Sequence, residues 1–190
     1  EEYDAIDLVL GKQRTVTVGR GTRGAEFRTF PPVLRAALRR FTQAGGALFV
    51  SGCYPLTDML CGPEADGEAR AFAAEVLHCA GGDRRRAGRG RVTAAVSPAA
   101  FRGGAYRFRT ERSDEGYAVE ASDVLLPAVG ACAVLRYDGG PDAAGVAWEG
   151  AGAGRTVVLG FPFETVTDPV RREALMGDVL GFLGPRRTCE

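Results

Sequence analysis

Apolar and polar residues alternate in patterns that predict a strand, a helix and a second strand in the first part of the chain. Residues 5–10 and 47–50 form short apolar runs bounded by glycines, as is typical of interior strands. Residues 12–30 are largely polar and are predicted to form a long loop. A run with helical spacing opens at Pro31-Pro32 and ends at Gly45, a residue suited to a helix C-terminus. The apolar positions of that helix are Leu34, Ala37, Leu38 and Phe41.

The pattern changes in the second part of the chain. Asp66 is a good cap for a second helix, which is predicted to end near Gly81-Gly82. Its apolar stripe is Ala69, Phe72, Ala73, Val76 and Leu77. Short β-like runs separated by turn residues follow at 91–96, 106–109, 117–120, 132–137 and 143–148. A last strand at 155–161 precedes a closing helix that begins after Asp168 and ends at Gly184-Pro185.

Together these elements predict an α/β fold, a three-layer sandwich built on a mainly parallel sheet. We expect one domain over residues 1–190, with an antiparallel β insertion at about 89–149. Because the chain begins Glu-Glu-Tyr without a methionine, we interpret it as part of a longer protein.

The end of the second predicted strand is the best candidate for a functional site. In open α/β sheets, sites form at the carboxyl ends of the strands. The segment Ser51-Gly52-Cys53-Tyr54 occupies that position here, and Asp58 follows it closely. We therefore name Ser51, Tyr54 and Asp58 as candidate binding residues and Cys53 as the candidate nucleophile.

Composition narrows the classes of ligand. The formal net charge is zero and Lys12 is the only lysine, so nothing global favours binding to nucleic acid. No apolar run approaches the roughly 20 residues of a membrane helix, so we expect no membrane insertion. The basic run Asp83-Arg84-Arg85-Arg86, with Arg89 and Arg91, is interpreted as a solvated loop, and Gly150 to Gly154 as a turn.

The cysteine and histidine pattern predicts no metal site and no cofactor. The five cysteines have no C-x-x-C spacing, and their odd number argues against a complete set of disulfides. Free thiols are the simplest interpretation, with a Cys61–Cys79 pair as the alternative. The single histidine, His78, has only Glu75 as a potential ligand at helical spacing.

Two motifs resemble a known family. Phe49-Val50-Ser51-Gly52-Cys53 places a cysteine just after a buried strand, and Val158-Leu159-Gly160-Phe161-Pro162-Phe163-Glu164 ends the last strand. Their order resembles class I glutamine amidotransferases, in which a cysteine on a strand-to-helix elbow is followed by a late Phe-His-Pro-Glu. Further stretches resemble the amidotransferase-like domain of secreted bacterial xanthan-lyase-like proteins. These are residues 3–13, Thr29-Phe30-Pro31-Pro32, residues 44–52 and residues 160–164.

The resemblance implies a flavodoxin-like sheet, with Cys53 and Glu164 in the catalytic positions and Phe163 beside them. It also implies a secreted, periplasmic or cell-surface location, a carbohydrate ligand, and contact with other domains of the same parent chain. The family's histidine is missing, because Pro162 or Phe163 stands at its position. A cysteine hydrolase needs an imidazole to accept the thiol proton. We therefore expect a non-catalytic structural or ligand-binding domain in which Cys53 and Glu164 are vestigial.

Two enzymatic alternatives stay open at this stage. One is a lyase or hydrolase acting on an acidic polysaccharide, using Tyr54 or a pair of carboxylates. The carboxylates available to it are Asp58, Glu64, Asp66 and Glu164, and Tyr54 and Trp148 are candidate sugar-stacking platforms. The other alternative is an amide hydrolase or thiol-dependent activity that uses Cys53.

Overall fold

The structure is a computed structural model that describes residues 3–18, 25–61, 65–86, 90–95, 101–102, 104–138, 140–150 and 154–184. The helices in these ranges are α1 Pro32–Gln43, α2 Thr57–Leu60, α3 Gly67–Glu75 and α4 Pro169–Leu183. The strands are β1 Ala5–Gly11, β2 Val16–Val18, β3 Ala25–Phe27, β4 Ala47–Gly52, β5 Cys79–Arg86, β6 Arg91–Ala94, β7 Ala105–Arg107, β8 Ala121–Pro127, β9 Cys132–Tyr137, β10 Ala143–Glu149 and β11 Arg155–Leu159.

Three parallel strands, β1, β4 and β11, carry the part of the fold in which the sequence motifs lie. Strand β4 lies between the other two and is buried along its whole length. Its side chains alternate between two cores, as the period of a strand requires. Leu48 and Val50 pack in the core that includes residues of α1 and α3, whereas Phe49 packs in the core that includes residues of α4.

The remainder of the large sheet is antiparallel, so the expected mainly parallel, flavodoxin-like sandwich is wrong. The sheet is curled and mixed, with the order β1-β4-β11-β10-β9-β6-β7, while β8 pairs with both β10 and β5. The physical reason is that an apolar run in the sequence indicates a strand buried on both faces. It does not indicate whether that strand runs parallel or antiparallel to its neighbours. Strand β10 is buried from Ala143 to Ala147, as a parallel interior strand would be, yet it runs antiparallel to β11.

The helix signals in the sequence are confirmed. Helix α1 begins at the predicted proline pair, and Gly45 follows it with a φ of +94°. The Asp66 carboxylate accepts a hydrogen bond from Ala69 N–H at the start of α3. The Asp168 carboxylate accepts from Val170 N–H at the start of α4. Each cap satisfies a backbone donor that the first turn of a helix leaves unpaired.

Three local predictions are wrong. Helix α3 ends at Glu75, and β5 occupies the place of its predicted C-terminus and of the predicted basic loop. Residues 117–120 form no strand, and β8 begins directly after them. The predicted loop at 12–30 contains the hairpin of β2 and β3.

Candidate functional site

Cys53 follows directly on β4, at the carboxyl ends of the parallel strands. Its backbone N–H donates a hydrogen bond to the Gly11 carbonyl at 2.8 Å, which fixes the end of β4 against the end of β1. A side chain at Gly52 would come within 2.8 Å of Leu10 Cβ, so glycine allows this close approach. The Cys53 side chain is 1% exposed and belongs to a hydrophobic core. The predicted elbow position is therefore occupied by a buried thiol.

Burial opposes ionisation of the Cys53 thiol and raises its pKa to about 12. Among the nearby charges, Lys12 lowers this pKa, whereas Glu120, Asp123 and Glu164 raise it. Lys12 is paired with Glu120 and does not offset the effect of burial, so the thiol is protonated at pH 7. A reactive cysteine is instead a thiolate, stabilised by a cation or an imidazole beside the sulfur.

The only imidazole of the chain lies near the other end of the parallel strands. The His78 ring stacks on Trp148, with 3.6 Å between ring centroids and 10° between ring planes. Trp148 pairs with Thr156, which pairs with Leu48 near the start of β4. Cys53 is five positions after Leu48, or roughly 16 Å of extended chain. Burial also lowers the pKa of His78 to about 4, so the ring is neutral at pH 7.

Glu164 lies in a short 3-10 turn, Phe163–Thr165, that follows β11. Its Oε1 accepts a hydrogen bond from the Tyr117 hydroxyl at 2.5 Å. Its Oε2 is buried and has no hydrogen-bond partner among the described residues. Burial and the nearby Glu164 raise the pKa of Asp7 on β1. The predicted carboxylate is thus beside the ends of β1 and β4, with one oxygen engaged and the other free.

Ser51 lies on the same face of β4 as Phe49, because alternate residues of a strand share a face. It is fully buried, and within the described part of the chain nothing hydrogen-bonds to its Oγ. Phe49 meets the Phe163 ring edge to face at 5.9 Å, so the turn that carries Glu164 packs over this face. The structure therefore places Ser51, Cys53, Phe163 and Glu164 close together at the buried ends of β1 and β4, a cluster that we call the strand-end crevice.

Two other predicted site residues are engaged in the structure. Tyr54 is 8% exposed and packs in the hydrophobic core, which removes its ring as a surface for sugar stacking. Asp58 binds the loop before α1. Its carboxylate accepts from the N–H and hydroxyl of Thr15, at 2.6 and 2.9 Å, and from the hydroxyl of Thr29 at 2.5 Å. Through these hydrogen bonds, Asp58 holds together the two ends of the segment between β1 and α1.

Several residues of the crevice were not predicted from the sequence, notably Tyr117, Lys12, Glu120 and Asp123. Lys12 Nζ forms an ion pair with Glu120 Oε2 at 2.5 Å and lies 5.9 Å from the centre of the Tyr117 ring. No local motif marks these side chains, because tertiary contacts bring them to the crevice from distant parts of the chain. The one available signal was that Lys12 is the only lysine in the sequence and directly follows a predicted strand.

The remaining sequence candidates do not converge on the crevice. Asp66 caps α3. Glu64, Arg89 and Cys189 lie outside the described residues, as does most of the glycine-rich segment 150–154. Cys61 and Cys79 are free thiols, the first exposed and the second buried, so the alternative disulfide between them does not form.

Over the described ranges, no three histidine, cysteine or carboxylate side chains come together as ligands for a metal ion. None of the helices seen in these ranges has the length and apolar character needed to span a bilayer. A scan of the chain against models of known protein families finds no match, and a search among curated proteins finds none either.

Proposed function

We propose that this chain is a non-catalytic, ligand-binding domain of a secreted, carbohydrate-associated bacterial protein, related to the amidotransferase-like domains that its motifs resemble. The observation that carries this proposal is the state of Cys53, a buried thiol that is protonated mainly because of its burial. If Cys53 and Glu164 correspond to a reaction centre, as the resemblance implies, the residues around them do not supply its proton transfer.

The ligand site in this proposal is the strand-end crevice. No described residue donates a hydrogen bond to Glu164 Oε2, and the Ser51 hydroxyl can donate or accept one. Asp7, Glu120 and Glu164 give the crevice more negative than positive charge, because Lys12 is already paired with Glu120. Such a site favours the hydroxyl groups of a neutral sugar over the carboxylates of an acidic polysaccharide.

A lyase or hydrolase for acidic polysaccharides receives less support from the same residues. Tyr54 is in the core and Asp58 is fully occupied by the threonines of the neighbouring loop. The local charge would also repel an anionic chain.

Two assays test the proposal. In the first, the purified protein is incubated with glutamine and other primary amides, and release of ammonia is measured. We expect no release above that of the Cys53→Ser variant, with Cys79→Ser as the matched control for loss of a buried thiol. Ammonia release that Cys53→Ser abolishes and Cys79→Ser preserves would contradict a non-catalytic role.

The second assay measures binding of neutral and uronic-acid oligosaccharides that share a β-1,4-linked backbone, by titration calorimetry. We expect the neutral oligomer to bind more tightly. The Glu164→Gln variant should bind it about tenfold more weakly, since a hydrogen bond to a charged group is replaced by a neutral one. Equal or tighter binding of the uronic-acid oligomer would contradict this assignment of the ligand.

A further inference from the structure

The polar groups of the strand-end crevice are closed off from solvent. Ser51 is fully buried and Cys53 is 1% exposed. Glu164 Oε2 is buried as well. A ligand therefore reaches these groups only after some part of the protein moves aside.

Tyr117 is the side chain placed to make that movement. Its hydroxyl donates to Glu164 Oε1, and a Cβ at Gly11 would lie 3.3 Å from the same hydroxyl. The ring is partly buried and packs against the hydrophobic core that contains Cys53. Tyr117 thus lies over the ends of β1 and β4, between the crevice and the exposed segment that precedes it.

The hydrogen bond from Tyr117 to the Glu164 carboxylate is the strongest polar contact that holds Tyr117 in place. It is charge-assisted, the stronger class. The Lys12–Glu120 ion pair beside the ring is largely solvent-exposed, with side-chain exposures of 36% and 64%. Pairs of that kind contribute little to stability. Closure of the crevice therefore depends on the Tyr117–Glu164 bond together with the packing of the Tyr117 ring on the core.

The backbone on the two sides of Tyr117 differs in how firmly it is held. Val119 is fully buried, and its N–H donates to the Arg109 carbonyl at 2.9 Å. Residues 111–115, in contrast, are all exposed. The chain is therefore held on the C-terminal side of Tyr117 and exposed on its N-terminal side.

We propose that Tyr117 is a gate for the strand-end crevice: its hydroxyl occupies Glu164 in the closed state, and its side chain swings out to open the site. Building on the ligand-binding role proposed above, a hydroxyl of the incoming sugar then takes the place of the phenol on Glu164. The exchange replaces one O–H donor by another, so the carboxylate is paired in both the closed state and the ligand-bound state.

Thiol labelling tests the gate without any ligand, because the chain contains a matched pair of buried cysteines. Cys53 and Cys79 are both buried, and burial raises the pKa of each to about 12. Only Cys53 belongs to the core against which Tyr117 packs, whereas Cys79 lies in the other core, so each variant is compared with the wild type by the ratio of the two labelling rates. The full chain is treated with iodoacetamide at pH 8.5, and labelling of each cysteine is followed by peptide mass spectrometry.

The informative variants are Tyr117→Phe, which removes only the hydroxyl, and Tyr117→Ala, which removes the ring. The control is Tyr106→Phe, which removes a tyrosine hydroxyl that donates to the Asp178 carboxylate elsewhere in the fold. Loss of a hydrogen bond to a charged group should raise the open population of the gate roughly tenfold. The quantity to compare is the labelling rate of Cys53 divided by that of Cys79. We expect this ratio to rise about tenfold in Tyr117→Phe, to rise further in Tyr117→Ala, and to stay unchanged in Tyr106→Phe.

An unchanged ratio in both Tyr117 variants overturns the gate, and so does equal acceleration of Cys53 and Cys79, which would mean that the whole fold opens. Either result leaves the sugar-binding assay to be judged separately. Conversely, a rise in the ratio together with no binding of any oligosaccharide would support the gate and refute the ligand proposed for it.

Discussion

Asp123 provides the sharpest test of how this fold balances burial against hydrogen bonding. The residue lies on β8 and is fully buried. Its carboxylate accepts three hydrogen bonds, from Leu56 N–H at 2.7 Å, Thr57 N–H at 2.9 Å and Thr57 Oγ1 at 2.6 Å. These contacts attach the start of α2 to the antiparallel part of the sheet.

Two effects oppose each other at this carboxyl group. Burial disfavours the charged form, whereas the three donors favour it. Burial prevails and raises the pKa of Asp123 from its ordinary value of 3.8 to about 6. Since each pKa unit corresponds to about 1.4 kcal/mol, a raised pKa of this size corresponds to roughly 3 kcal/mol.

The sign follows from where the proton binds more tightly. The folded state holds the Asp123 proton more firmly than the unfolded state does. The stability that protonated Asp123 contributes is therefore complete below pH 3.8 and is lost as the pH rises through 6. We therefore expect the wild-type free energy of unfolding to fall between pH 4 and pH 7, relative to Asp123→Asn, by about 3 kcal/mol. Asparagine keeps the shape and an acceptor for the two N–H groups but has no charge to desolvate.

The assay is urea unfolding of both proteins at several pH values, followed by the fluorescence of Trp148. Subtracting the two profiles removes every titrating group that they share. Asp123→Ala serves as a second variant, and it should be less stable than Asp123→Asn at each pH because it leaves two buried N–H groups unpaired. Parallel profiles for wild type and Asp123→Asn, or a wild type that gains relative stability as the pH rises, would refute the reasoning.

Two further predictions concern packing and the stacked histidine. A Cβ at Gly160 would overlap the Asp123 carbonyl oxygen and lie 3.0 Å from its carbon, so Gly160→Ala should lower the free energy of unfolding by about 3 kcal/mol. Gly177→Ala, in a helix with open space around it, should be neutral or slightly stabilising; a similar loss in both variants by urea unfolding would contradict this account. The fluorescence of Trp148 should change as His78 titrates, with a midpoint at the His78 pKa of about 4, and His78→Gln should abolish the change. A midpoint near pH 6.5 would show that burial does not lower the pKa of the imidazole. Because this pKa is lowered, the stability that neutral His78 contributes is complete above pH 6.5 and is lost as the pH falls toward 4.

Helices were predictable because their signals are local. The proline pair before α1, the capping carboxylates Asp66 and Asp168, and the 3.6-residue spacing of apolar side chains all act within a few residues of one another. The end of α3 was missed because tertiary structure ends it. Val76 and Leu77 continue the apolar stripe and are buried, yet the chain turns at His78, which has a φ of +52°, and enters β5.

Strand pairing was the least predictable part of the fold. Strand β5 has the sequence Cys-Ala-Gly-Gly-Asp-Arg-Arg-Arg, which has neither alternation nor strong β propensity. It forms because β8 pairs with it, more than thirty residues later in the chain. A side chain at Gly82 would come within 2.6 Å of Leu56 Cβ, so the glycine that suggests a turn in the sequence allows close packing in the sheet.

The residues of the candidate site were only partly predictable from the sequence. The rule that sites form where parallel strands end proposed Ser51, Cys53, Tyr54 and Asp58, and the resemblance added Glu164; in the structure Tyr54 and Asp58 are engaged elsewhere. Neither the rule nor the resemblance could show which charged groups would lie near the thiol. Asp123 arrives from β8, which was not predicted, and Glu120 belongs to a segment whose expected strand is absent.

The state of Cys53 therefore depends on more than one missing histidine. Phe163, which with Pro162 is one of the two residues where the resemblance would place a histidine, packs its ring against Phe49, so an imidazole at this position would also face an apolar core. Burial by itself would lower the pKa of that imidazole, as it does for His78. The carboxylates that raise the pKa of Cys53 would remain. Burial of the thiol, the nearby carboxylates and the packing at position 163 therefore all favour a neutral thiol over a thiolate.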